Sequence, residues 1–175
     1  MSKTALIVVD MVNSYDHPDA EKLTKSVETV LPTITDTIDT WDGPTIYVND
    51  NFGHWRSNRD DLLETALTGE FRALVEPIAP KDDAMFVVKA RHSIFYQTPL
   101  EYLLGQEGID KIVLVGQVTE QCILYSALDA YIRHIEVRVP CDAVAHIHED
   151  LAEASLKMAE LNMKADTSPA AGVAF

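Results

Sequence analysis

Three side chains with reactive chemistry stand where an apolar, β-branched run gives out. Asp10 closes TALIVVD (Thr4–Asp10), Lys89 closes AMFVVK (Ala84–Lys89), and Cys122 follows KIVLVG (Lys111–Gly116) by six residues. A thiol, a carboxylate and an ammonium form one coherent set: a nucleophile, a proton acceptor and a cation that steadies developing negative charge. With Thr119 as a helix N-cap, Cys122 falls near the third helical position. There the helix dipole and unpaired backbone N–H groups favour an anion, which predicts a lowered thiol pKa and a place for an oxyanion. Each residue also has a bland reading. Cys122 can be an inert buried thiol, Asp10 a cap on the following loop, and Lys89 a strand-end surface ammonium. What favours the reactive reading is that all three are placed at one end of a single sheet.

That placement depends on the elements around them. Five short apolar runs read as strands: Thr4–Asp10, Pro44–Asp50, Ala84–Lys89, Lys111–Gly116 and Ile135–Pro140. Helical spacing fills the intervals. Leu23, Val27, Val30, Ile34, Ile38 and Trp41 recur over residues 19–41, with Pro32 a candidate kink. Weaker helical segments cover residues 62–78, and stronger ones residues 120–133 and 148–163. Thr98-Pro99-Leu100-Glu101 reads as a capping box with proline at the first helical position. The small-residue tail from Ala165 fits either a short edge strand or a mobile end. Alternation of strand and helix predicts an α/β fold: a three-layer, doubly wound, open parallel sheet of five or six strands with helices on both faces. In such sheets ligands bind beyond the carboxyl ends of the strands, where Asp10, Lys89 and Cys122 fall.

The 175 residues fit a single domain, residues 1–175, and the apolar and charged fractions of 47% and 24% are those of a globular protein. A formal charge of -14 argues against nucleic acid or an anionic membrane as main partner and reads most simply as a solvated surface. The chain enters a strand-like run by Thr4 and has no long apolar span, so neither a signal peptide nor a membrane segment is expected. Two distant cysteines, Cys122 and Cys141, suggest no disulfide framework and make a reducing cytoplasm the default location. Gly105, Gly108 and Gly116 form no phosphate-binding fingerprint, and no cofactor is expected. His146 and His148 lack a further ligand pattern, so a loop pair or a helix-start cap is the simpler account. Phe52, His54, Trp55 and Arg56 lie in a long connection after the second strand, where they can line a pocket or cover the core.

The segments ALIVVDMVNSY, FVVKARHSIFYQTPLEYLL and IVLVGQVTEQCILYSALDAYIRHIEVRVPCDAVA together resemble the isochorismatase-like cysteine hydrolases. That family includes nicotinamidases, N-carbamoylsarcosine and ureidoacrylate amidohydrolases, and isochorismatases. The resemblance implies catalytic roles for Asp10, Lys89 and Cys122, with Cys122 as nucleophile and Asp10 as base in both halves of the reaction. It also implies an oxyanion hole at Val118 and the Cys122 N–H, a cis Gln117–Val118 peptide, and a homo-oligomer, dimer or tetramer. Nicotinamidases carry an Asp-x-His metal pair after the second strand; here Phe52 stands two residues after Asp50 and His54 comes two residues later, so no metal is expected. True isochorismatases commonly lack the cysteine. The expected reaction is therefore cleavage of a C–N bond in a small amide, carbamoyl or ureido compound, with selectivity in Phe52, Trp55, Arg56, Phe95 and Tyr96. Enol-ether hydrolysis independent of Cys122, or ligand binding without turnover, are the alternatives.

Overall fold

The computed structural model describes residues 3–81 and 84–171. Six parallel strands form its sheet: β1 (Lys3–Val9), β2 (Thr45–Asp50), β3 (Met85–Lys89), β4 (Ile109–Gln117), β5 (Glu136–Arg138) and β6 (Val144–Ala145). The order is β3-β2-β1-β4-β5, with β6 also beside β4. The chain thus builds outward from β1 to β3, then returns to the other side of β1 with β4. Strand order reverses between β1 and β4, which opens a crevice at their carboxyl ends.

Period-two alternation along β1 sends side chains to two separate cores. Ala5, Ile7 and Val9 pack with Leu100 and Leu104 of α4 (Leu100–Glu107), Ala127 and Ala130 of α5 (Leu124–Ile132), and Ala159 and Met163 of α6 (Glu149–Met163). Leu6 and Val8 face Leu23, Val27 and Ile34 of α1 (Ala20–Thr40), Leu62 and Ala66 of α2 (Arg59–Thr68), and Leu74 and Val75 of the short α3 (Arg72–Val75). Burial on both faces explains why the central strands read as unbroken apolar runs. No helix among the described residues is long and apolar enough to cross a membrane.

Several local expectations are corrected. α1 runs through Pro32 as one element, with the proline and the Glu28 carbonyl it cannot bond both on exposed residues where water reaches them. The capping box at Thr98 does not form. Pro99 is the N-cap, Thr98 Oγ1 accepts from Leu100 N–H at 3.4 Å, and Glu101 is drawn away to Arg133 Nε at 2.8 Å. A capping box is present instead at α2, between Asn58 and Asp61. The fifth predicted strand is present but shorter, Glu136–Arg138, and a sixth of two residues follows it. Pro140 carries no N–H, the chain turns with Ala143 N–H donating to Pro140 O at 3.0 Å, and it rejoins β4 as β6. The tail supplies one parallel bridge, Asp166 to Arg138; its last residues, 172–175, lie outside the described residues.

Candidate active site

Register brings the polar strand ends together. β1 pairs Val9 with Val48 and with Gly116, and β2 pairs Asp50 with Lys89. The next residues of β1 and β4 are Asp10 and Gln117, so four neighbouring strands end in Lys89, Asp50, Asp10 and Gln117. Asp10 takes a left-handed backbone, φ 55°. Its main chain is held by Val48 O, 3.0 Å from its N–H, and by Gln117 Nε2, which donates to its carbonyl at 2.6 Å. Its carboxylate is doubly engaged: Oδ1 accepts Asp50 N–H at 2.7 Å, and Oδ2 pairs with Lys89 Nζ at 2.8 Å. Lys89 reaches past β2 to do this, across two strand spacings of together roughly 10 Å.

Cys122 arrives from the other side of the crevice. A π turn over Thr119–Ile123 leads from β4 into α5, with Ile123 N–H donating to Val118 O at 3.1 Å. Thr119 is not the cap expected of it: Val118 precedes the turn, and Thr119 Oγ1 donates to Ala145 O at 2.9 Å, tying the turn to β6. The Gln117–Val118 peptide is cis. Cys122 Sγ lies 3.6 Å from Lys89 Nζ and 3.7 Å from His92 Nδ1. Behind it, Ser126 Oγ donates to Cys122 O at 2.5 Å and accepts Ile94 N–H at 3.1 Å, fastening the helix start to the segment after β3.

The electrostatics reverse one expectation. Burial pushes the Cys122 thiol up, the Asp10 charge pushes it the same way, and Lys89 only partly opposes them. Burial also raises the Asp10 carboxyl against the pull of Lys89. Burial alone would lower Lys89, but Asp10, Cys122 and Asp50 together raise it, so its ammonium stays charged. Helix position therefore does not make a resting thiolate. Burial instead favours the neutral thiol, beside a carboxyl whose basicity burial raises.

A cavity of about 810 Å³ opens above Lys89 and Asp50. Of the residues expected to contact a ligand, Phe52, Trp55 and Tyr96 line it, and all three are exposed. The loop that carries Phe52 is shaped by side-chain turns, with Asp50 Oδ1 accepting Phe52 N–H at 2.8 Å and Asn51 Oδ1 accepting Gly53 N–H at 2.9 Å. Arg56 and Phe95 are not among the lining residues. Arg56 is exposed away from the cavity, and Phe95 is 4% exposed in the core beneath the Arg133 guanidinium, 4.8 Å from its ring centroid. Arg91, His92 and Gln97 line the cavity without having been anticipated. The signal for His92 was its place three residues after Lys89, at the same strand end. His146 bonds Ser26 Oγ through Nδ1 at 3.2 Å, and exposed His148 occupies the N-cap position of α6 without a side-chain cap bond. No group of three or more metal-binding side chains occurs among the described residues.

The same arrangement of sheet and crevice recurs in known proteins. A family model described as the isochorismatase domain matches residues 4–170. The isochorismatase family protein YaaI of Bacillus subtilis (strain 168) is 32% identical over 167 residues, covering 91% of each chain. Maleamate amidohydrolase of Pseudomonas putida is 27% identical over 165 residues, covering 88% of this chain and 78% of that protein. The crystal structure of N-carbamoylsarcosine amidase from Thermoplasma acidophilum superposes with a TM-score of 0.71 at 26% identity, covering 99% of both chains. On a match spanning nearly its whole length, this chain belongs to the isochorismatase family of hydrolases.

Proposed function

We propose that the chain is a cysteine hydrolase that cleaves a C–N bond in a small amide, carbamoyl or ureido compound. The observation that carries this reading is one buried ammonium, Lys89, touching both Asp10 (2.8 Å) and Cys122 (3.6 Å) beneath a ligand-sized cavity. Asp10 takes the thiol proton as Cys122 attacks the carbonyl carbon. The Val118 N–H and the Cys122 N–H receive the oxyanion. Asp10 passes its proton to the leaving amine, the C–N bond breaks, and water then cleaves the thioester. Lys89 keeps the carboxylate ionised and offsets the charge that moves between oxygen and sulfur. The mechanism calls on no metal or cofactor, and Phe52 and His54 do not reproduce an Asp-x-His pair after Asp50. The kinship with maleamate amidohydrolase and N-carbamoylsarcosine amidase supports C–N cleavage.

Ammonia release from a panel of small amides, carbamates and ureido acids tests the reading. Wild-type chain should turn over at least one compound, and Cys122→Ala should abolish that turnover without unfolding the protein. Retention of the wild-type rate by Cys122→Ala would point to the thiol-independent route that acts on enol ethers.

A further inference from the structure

Behind the Cys122 sulfur, every polar group is already committed. Asp10 is buried, and its two carboxylate oxygens are held by Asp50 N–H and by Lys89. Two cavity-lining side chains touch the sulfur: Lys89, which is committed to Asp10 and Asp50, and His92. His92 is exposed, lines the cavity, and holds Nδ1 at 3.7 Å from Sγ. Its ring is placed by an edge-on contact with Tyr125 on α5, centroids 5.4 Å apart at 61°. Water reaching a thioester on Cys122 from this cavity would meet the His92 ring beside the sulfur.

We propose that His92 is a further catalytic residue: the base that activates water in the second half of the reaction, a task the family resemblance gives to Asp10. This inference rests on Cys122 being the acylated nucleophile. The imidazole nitrogen removes a proton from water as the hydroxide oxygen bonds to the thioester carbonyl carbon. The carbon–sulfur bond then breaks, the acid leaves, and the imidazolium returns its proton to the departing sulfur. One water is consumed and the thiol is restored, with no other reactant. Labour is divided by geometry: Asp10 serves the buried thiol proton, and His92 serves the water. The charged and titratable groups around His92 are Arg91 and Lys89 on its own segment, Cys122 with Asp10 behind it, Asp50 across the cavity floor, and Tyr125 on α5.

The test uses p-nitrophenyl acetate as acyl donor, so that nitrophenolate reports acylation as a burst and deacylation as the steady rate. Wild-type chain should give a stoichiometric burst that Cys122→Ala lacks. His92→Gln should keep the burst rate within about threefold while its steady rate falls about 100-fold, the usual worth of a general base. Added imidazole should restore the steady rate of His92→Ala at least about tenfold toward wild type, which a purely structural role would not allow. If His92→Gln deacylates as fast as wild type, or imidazole rescues nothing, His92 is not the base, while Cys122 as nucleophile stands. If Cys122→Ala keeps the burst, the nucleophile itself is wrong and the role of His92 falls with it.

Discussion

Replacing Gly116 by alanine should damage both the fold and the site. Gly116 is paired with Val9 across the two central strands and has φ +117°, a conformation that side chains rarely adopt. A Cβ there would lie 2.2 Å from Val9 O, 3.0 Å from Val9 N and 3.1 Å from Val9 C. Ordinary carbon–oxygen contacts begin near about 3.3 Å, so the two strands would have to part by roughly 1 Å. Neither neighbour can yield by rotating a side chain, because all three atoms are backbone. The left-handed φ costs about 1–3 kcal/mol for a residue with Cβ, and the overpacking about 1–3 kcal/mol more. The Gly116 N–H donated to Ala143 O at 3.0 Å is also displaced, for about 1 kcal/mol. The expected loss is therefore about 3–7 kcal/mol out of a stability of order 5–15 kcal/mol. In urea, with a slope of about 2 kcal/mol per molar, the unfolding midpoint should drop by roughly 1.5–3.5 M. Whatever Gly116→Ala still folds should acylate slowly, because Val118 and its N–H sit two residues beyond the distortion. A variant within about 0.5 kcal/mol of wild type, with a normal burst, would refute this reading of the strand end.

Other perturbations have equally definite outcomes. Lys89→Met leaves Asp10 buried without its cation; it should cost about 3–5 kcal/mol in urea unfolding, and adding Asp10→Asn should recover part of that while activity stays lost. Because burial holds the Cys122 thiol above its ordinary value of 9.0, the unfolded chain ionises there first. Stability should therefore fall as pH rises between about 9 and 10, by up to about 1.4 kcal/mol per pH unit, and Cys122→Ala should flatten that fall in urea titrations. Tyr47, pushed up to about 12, and Tyr15, raised further, add their own losses only at higher pH. Tyr125, Leu128, Ile132, Leu151 and Leu161 expose apolar surface on α5 and α6, which supports the expectation of a homo-oligomer. Light scattering coupled to size exclusion should give a multiple of the 19.4 kDa chain mass, and a monomer at micromolar concentration would contradict it.

What was legible in the sequence follows from the range of the forces involved. β1 to β4 were readable because burial on both faces leaves unbroken β-branched runs, and Asp10 and Lys89 were readable because each run ends in a charge. The two-residue β6 was not, since it depends on where Val144 and Ala145 meet β4. Helix starts misled for a related reason. Thr98 and Thr119 have the right chemistry for caps, but other carbonyls claim their hydroxyls: Ile94 O, one turn back, at 2.5 Å, and Ala145 O on β6. The thiol shift had the wrong sign because a helix-terminus argument contains neither burial nor the Asp10 charge. Phe95 reads like its neighbour Tyr96, yet one points into the core and the other into the cavity, a distinction that only packing makes. His92 was overlooked because a lone histidine in a loop carries no pattern until the sulfur is seen beside it.

The central claim is that Cys122 becomes covalently acylated under the control of Asp10 and Lys89. Its most direct test is the intact mass of the chain, acid-quenched during turnover of whichever amide or ureido compound releases ammonia, followed by peptide mapping. The account predicts a mass gain equal to the acyl group, located on the peptide that carries Cys122, and enlarged in His92→Gln. Turnover that leaves the wild-type and His92→Gln masses unchanged, or an adduct on another residue such as Cys141, would contradict it.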